Sequence, residues 1–287
     1  MRLFIVDAFT TQKFSGNQAG VALLGEDAWP EEGFMQALAA ELKHSETAFV
    51  KANGEGSFQV RYFTPEGEVD LCGHATIATF TVLREEGVIG PGTYNASTLA
   101  GELAVQVSEG AVWMDMAPPV EARTFTDEEA AELYDAYGLS LSHKPEGYQP
   151  KAVSTGLCDI LLPVKRLEAL DAAVQDEAEV TRLSKKYEVV GVHMFWPCLD
   201  GEAACHCRNF APLYAIPEEA ATGTSNGALT YYLYQYGKVS PEAENRFIQG
   251  EKMGKPSEIL SRLEEREGTV KVLIGGRAVI TLRAELA

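Results

Sequence analysis

Apolar and polar residues alternate along the start of the chain, and the period lengthens to that of a helix near residue 30. The pattern predicts a strand over Leu3–Phe9, a glycine-bearing turn at Phe14–Gln18 and a strand over Ala19–Leu24. A helix is expected over residues 30–42, with Pro30 at its first position and Glu31 and Glu32 in its first turn. Strands at Thr47–Lys51 and Ser57–Phe63 follow, then an apolar helix opened by Gly73 and running to Glu86. Strands Thr98–Ser108 and Ala111–Ala117 read as a hairpin around Glu109-Gly110. Pro118-Pro119 marks a crossover. Beyond it the order repeats: a helix near Asp127–Tyr137, strands at Lys151–Ser154 and Cys158–Pro163, and a helix near Glu177–Tyr187. Strands Gly191–Trp196 and Ala203–Phe210 come next, then a helix after Gly223 and a hairpin over Lys271–Glu285. The charged stretch Ile248–Glu267 is expected to hold a strand and a loop.

The two halves share a pattern in their residues as well. Arg61-Tyr-Phe-Thr-Pro65, Leu71-Cys-Gly-His-Ala-Thr-Ile-Ala78 and Gly87 match Arg208-Asn-Phe-Ala-Pro212, Ala221-Thr-Gly-Thr-Ser-Asn-Gly-Ala228 and Gly237. Such a repeat implies two similar domains, each with a glycine-opened helix N-terminus. Two such ends facing one cleft would hold a small carboxylate, because free helix amides attract anions and glycine admits close approach. The boundaries expected are 1–117, joined by a C-terminal strand at about 278–287, and 118–277.

Composition narrows the classes. The chain has 287 residues, 46% of them hydrophobic, enough for two core-bearing domains. A net charge of −18 argues against nucleic-acid and membrane-surface partners. The acids are scattered (Glu26, Glu31, Glu32, Glu128, Glu129, Glu242, Glu244) and read as solvated helix faces. No stretch reaches the roughly 18 apolar residues of a membrane span. The opening Met1–Asp7 reads as a strand rather than a signal peptide, so the expected compartment is the cytoplasm. Five cysteines, Cys72, Cys158, Cys198, Cys205 and Cys207, show no disulfide framework. In the repeat, Cys205 and Cys207 align with the apolar strand positions Phe58 and Val60, so no metal centre is expected from that cluster.

Differences between the halves single out chemistry. Aligning Phe49 with Phe195 sets Glu46 against Val192, and a carboxyl in a partly closed cleft can relay a proton. His74 follows Gly73, where the helix field favours a neutral ring; Thr224 takes its place in the second copy. Glu218 and Glu219 read as loop acids, but Glu219 lies four residues before Gly223 and is a second acid/base candidate. Cys72 matches Thr222. Two thiols would suit a racemase, but threonine has no comparable acidity, which leaves one base shuttling a proton within one substrate.

These segments, with Asp7-Ala-Phe-Thr, Phe14-Ser-Gly-Asn17 and His44-Ser-Glu-Thr-Ala-Phe49, resemble the phenazine-biosynthesis PhzF-like isomerases of the diaminopimelate-epimerase fold. The resemblance implies an α/β (α+β) chain of two pseudo-symmetric domains, each a curved mixed sheet wrapped around a central helix. It implies a homodimer, no cofactor, and a small carboxylic acid bound between the domains. The family's acid/base glutamate falls on Glu46, its glycine-histidine pair on Gly73 and His74, and its glycine-serine pair on Gly223 and Thr224. Asn17 joins the substrate-binding set. The family's aspartate, usually followed by proline, falls on Glu219 followed by Ala220. The function expected is a cofactor-independent isomerase that moves a proton between carbons. Its rivals are an amino-acid racemase or epimerase using Cys72, and a non-catalytic binding protein for small acids.

Overall fold

Ser57–Phe63 shows how local sequence makes these strands: Phe58, Val60 and Tyr62 are buried and Gln59 is exposed, the period-two pattern of a half-buried pleat. Arg2–Ala8 is instead buried on both faces beyond its exposed first residue, Asp7 included. The computed structural model describes residues 1–25, 28–198, 201, 203–266 and 268–286. Glu26, Glu267 and residue 287, which fall within the acids and segments named above, lie outside the described residues. Contacts divide the chain into two compact units, Met1–Asp115 with Gly275–Ala287, and Met116–Ile274.

In the first unit, β1 (Arg2–Ala8) pairs antiparallel with β2 (Asn17–Leu23). Helix α1 (Glu32–Leu42) crosses over to β3 (Glu46–Ala52), which runs parallel to β2. Strand β4 (Ser57–Phe63) returns antiparallel to β3, and the short β5 (Glu68–Val69) flanks it. Helix α2 (Gly73–Glu85) then leads to β6 (Gly92–Thr98), parallel to β4, and on to β7 (Gly101–Val107) and β8 (Val112–Asp115). The last strand, β18 (Ala278–Glu285), lies antiparallel along the free edge of β1. The unit's strand order is therefore β18-β1-β2-β3-β4-β6-β7-β8.

Helix α2 packs against β1, β2, β3, β7, β8 and β18, strands drawn from both ends of that order, so the sheet wraps around it. Its sequence fits such a place, because every residue from His74 to Leu83 is buried; a helix without a polar face belongs in an interior. Two of its threonines satisfy their own hydroxyls. Thr76 donates to the Cys72 carbonyl and Thr79 to the Ala75 carbonyl, each at 2.7 Å.

The second unit repeats this order. Strand β9 (Val120–Thr124) flanks β10 (Lys151–Ser154) antiparallel, as β18 flanks β1. Between them lies α3 (Asp127–Asp135), opened by a capping box of Thr126 and Glu129. Strand β11 (Cys158–Pro163) pairs antiparallel with β10. Helices α4 (Leu167–Ala172) and α5 (Glu177–Tyr187) then lead to β12 (Gly191–Pro197), parallel to β11. Strand β13 (Cys205–Ala211) returns antiparallel, flanked by β14 (Ile216–Glu219). The central helix is α6 (Gly223–Gln235), after which β15 (Asn245–Gln249) runs parallel to β13 and β16 (Ser257–Arg266) pairs with β15. Strand β17 (Thr269–Gly276) carries the chain back toward the first unit's residues.

Three expectations need correction. Thr98–Ser108 is not one strand, because the turn at 99–100 separates β6 from β7. The charged stretch Ile248–Glu267 holds the expected loop and strand, but the strand, β16, runs for ten residues with Ile259, Leu260 and Leu263 buried, and the end of β15 precedes the loop. Glu218 is no solvated loop acid. It accepts from Arg208 Nε at 2.8 Å, as Glu68 accepts from Arg61 Nε at 2.6 Å in the first unit. Among the described residues no helix is long and apolar enough to cross a membrane.

Candidate functional site

In the first unit, the end of β2, the start of β3 and the start of α2 bring Asn17, Glu46, Cys72, Gly73 and His74 together. Strand pairing sets the positions: Glu46 opens β3 opposite Ala19 of β2, and Cys72 is the extended residue before the first turn of α2. The His74 ring is buried. Its Nε2 lies 3.3 Å from Glu46 Oε2 and 3.2 Å from Ser45 Oγ. Its Nδ1 lies 3.4 Å from Asn17 Nδ2 and 3.3 Å from Cys72 Sγ. Burial pushes the His74 pKa down, against the pull of the Glu46 carboxylate and a hydrogen bond to the Gln18 backbone. Neutral pH thus finds an uncharged imidazole, as the helix N-terminus also prefers.

Glu46 Oε2 is buried and makes no hydrogen bond among the described residues. A desolvated carboxylate oxygen that makes no hydrogen bond is costly to fold and is open to a polar group bound beside it. Cys72 makes no side-chain cap bond to α2, so the helix supplies no side chain of its own for its first-turn amides. A Cβ at Gly73 would come within 2.8 Å of the Met114 methyl group, which keeps this entry to the helix small.

In the second unit, Glu219, Thr222, Gly223 and Thr224 surround the start of α6. Thr222 donates its hydroxyl to Glu219 Oε2 at 2.6 Å and is not a side-chain cap either. Gln249, wholly buried, holds this group from β15. Its Nε2 donates to the Glu219 carbonyl at 2.8 Å and to Thr222 Oγ1 at 3.1 Å, and its Oε1 accepts from Asn226 Nδ2 at 2.8 Å. Thr155 donates to the Thr224 carbonyl at 2.9 Å.

Strand register corrects the comparison of the halves. Phe49 stands opposite Arg61 across β3 and β4, while Met194, not Phe195, stands opposite Arg208. Glu46 therefore matches Gly191, one residue earlier than the Val192 expected. A Cβ at Gly191 would lie 2.0 Å from the Phe210 carbonyl oxygen, so the second copy admits no side chain there. By the same register Glu219 matches Val69, since the one lies opposite Asn209 and the other opposite Tyr62. Each half thus has a carboxylate where the other has an apolar residue or none.

Sequence reasoning missed Ser45 and Gln249 as participants. Ser45 was visible beside Glu46 in the His44-Ser-Glu-Thr run. Gln249 carried no signal, because its partners lie 23 to 30 residues away. The cysteines of β13 are buried, as expected of strand positions, with burial pushing both thiol pKa values up.

Known proteins resemble the chain along nearly all of it. The family model described as phenazine biosynthesis-like protein matches residues 6–284. An isomerase of Deinococcus radiodurans is 36% identical, with 96% of this chain and 91% of that protein covered. The crystal structure of a Bacillus anthracis phenazine biosynthesis protein of the PhzF family superposes with a TM-score of 0.89 at 27% identity, covering 100% and 99% of the two chains. A probable proline racemase from Agrobacterium radiobacter shares the fold alone, with a TM-score of 0.60 at 13% identity and 100% and 92% coverage. The chain belongs to the phenazine biosynthesis-like, or PhzF, family and is an isomerase.

Proposed function

We propose that the protein is a cofactor-independent isomerase that moves a proton between two carbons of a small, unsaturated carboxylic acid, with Glu46 as the acid/base. The observation that carries this reading is the buried Glu46 Oε2 with no hydrogen bond among the described residues, 3.3 Å from a neutral imidazole. The carboxylate form of Glu46 takes a proton from one carbon, and the electron pair delocalises through the adjoining double bond. Glu46, now protonated, returns the proton to a second carbon, so the reaction has no net redox or hydrolytic step. His74 stays uncharged and hydrogen-bonds the substrate or the migrating charge, while the uncapped first turn of α2 binds the substrate carboxylate. Glu219, held by the Thr222 hydroxyl, is proposed as a further proton-handling group on its chemistry.

Small carboxylic acids that raise the melting temperature should be incubated with enzyme in heavy water. A substrate would take deuterium into carbon, and Glu46→Gln should slow that exchange by about 10²–10⁴-fold. Full turnover by Glu46→Gln would sink the reading. The contact between Cys72 Sγ and His74 Nδ1 favours one alternative, a racemase with a thiol base. That alternative requires inversion at an α-carbon that disappears in Cys72→Ser.

A further inference from the structure

We propose that Asp7 is a positioning residue for His74, fastening the turn between β1 and β2 so that its far end holds the imidazole in one place and one tautomer. Asp7 is 1% exposed. Its backbone stands opposite Gln18 across β1 and β2, and its Oδ2 accepts from the Phe14 amide at 2.6 Å, a charge-assisted bond. That bond pins a strained turn. Phe14 has φ 70° and Phe9 φ 61°, a region in which a β-carbon is crowded. Gly16 also has φ 70°, and a Cβ there would lie 2.2 Å from the Ala8 carbonyl oxygen. Phe14 is 76% exposed, so its ring packs little and its amide supplies the hold on the turn.

The turn leads into the two residues that meet His74. Asn17 Nδ2 is 3.4 Å from His74 Nδ1, and the Gln18 backbone hydrogen-bonds the ring. A neutral imidazole donates from one nitrogen and accepts at the other, so its neighbours choose the tautomer. That choice decides whether the nitrogen 3.3 Å from Glu46 Oε2 offers a proton or a lone pair. This last consequence rests on the proposed function; the tether does not.

The second unit has the same device without an imidazole. Ala19 pairs with Glu46 and Asp159 with Gly191, so Asp7, opposite Gln18, matches Ser154, opposite Cys158. Ser154 Oγ accepts from the Gly156 amide at 3.1 Å. Only three residues, 155–157, separate the paired positions there, against ten, 8–17, in the first unit. Thr155 donates to the carbonyl of Thr224, the counterpart of His74, at 2.9 Å. A carbonyl has no tautomer to set. The long turn and its carboxylate stand in the unit that has a ring to orient.

The test reads the imidazole nitrogens of the full-length, ligand-free protein, labelled with ¹⁵N-histidine, in long-range proton–nitrogen spectra. Among five histidines, His74 is assigned by the signals lost in His74→Gln. Its nitrogens should show a single tautomer in the unmodified protein. Asp7→Ala, checked as folded by circular dichroism, should move both by several parts per million toward the average of two tautomers, while the His193 signals stay. Asp7→Asn keeps an oxygen for the Phe14 amide and should move them less, in the same direction; if Asp7→Ala does not fold, Asp7→Asn carries the measurement. Averaged tautomers in the unmodified protein, unmoved His74 signals in the folded variants, or equal movement of His193 would each overturn the assignment. No substrate or turnover enters these spectra, so they are read apart from the isomerase mechanism.

Discussion

Arg61 and Arg208 hold the same place in the two halves but are buried to different degrees. Arg208 is 9% exposed at its side chain, and besides Glu218 it donates to the carbonyls of Leu170 and Ala173. Arg61 is 22% exposed and shares its charge between Glu68 and Glu32. Removing a buried partner strands the other charge. Arg208→Ala should therefore cost about 3–5 kcal/mol, against about 1 kcal/mol for Arg61→Ala, read from urea unfolding midpoints. His193 gives a second residue-scale expectation. Burial pushes its pKa down to about 4, against the hydrogen bond its Nδ1 donates to Asn209 Oδ1 at 3.0 Å and the pull of the nearby Asn226 side chain. The unfolded chain takes up this proton below about pH 6.5, and the folded chain only near 4. The stability due to neutral His193 is thus complete above pH 6.5 and is lost as pH falls toward 4, by about 3 kcal/mol at most. His193→Gln should flatten the acid limb of melting temperature against pH; an unchanged slope would refute the assignment.

Helices α2 and α6 begin and end alike. Each follows an extended, non-capping residue and runs for 13 residues. Each is closed by a glycine at positive φ, 71° at Gly87 and 63° at Gly237. The next amides, of Val88 and Lys238, reach back to the carbonyls of Leu83 and Leu233 at 2.9 Å. This left-handed termination penalises any Cβ. Gly87→Ala and Gly237→Ala should each lower stability by about 1 kcal/mol, with equal effects expected in calorimetry because the geometry is equal. The glycines and apolar runs made both helices legible in the sequence. Strand β16 was legible only as a strand somewhere within Ile248–Glu267, because its exposed side chains are charged and blur its bounds.

At the scale of the molecule, the first unit is discontinuous, since it closes only when β18 pairs along β1 from Arg2↔Glu285 to Ala8↔Ala278. A chain ending at Gly276 would leave β1 with an open edge. Its β1 amides should exchange with deuterium far faster than in the full chain, and unchanged protection would contradict the pairing. The same scale decided what the sequence misaligned. Matching phenylalanine with phenylalanine paired Phe195 with Phe49, and only the ladder across β12 and β13 moved that match to Met194 and set Gly191 against Glu46.

The sequence by itself determined the repeat, the two glycine-opened helices, the family and the residues worth suspecting, because these are local patterns of spacing and side-chain type. Tertiary structure alone decided that Glu46 Oε2 is buried with no hydrogen bond among the described residues, that His74 touches Asn17, Ser45, Glu46 and Cys72 at once, and that Gln249 holds Glu219. Those facts depend on register and burial, which join residues far apart in the chain and leave no mark on the order in which they are written.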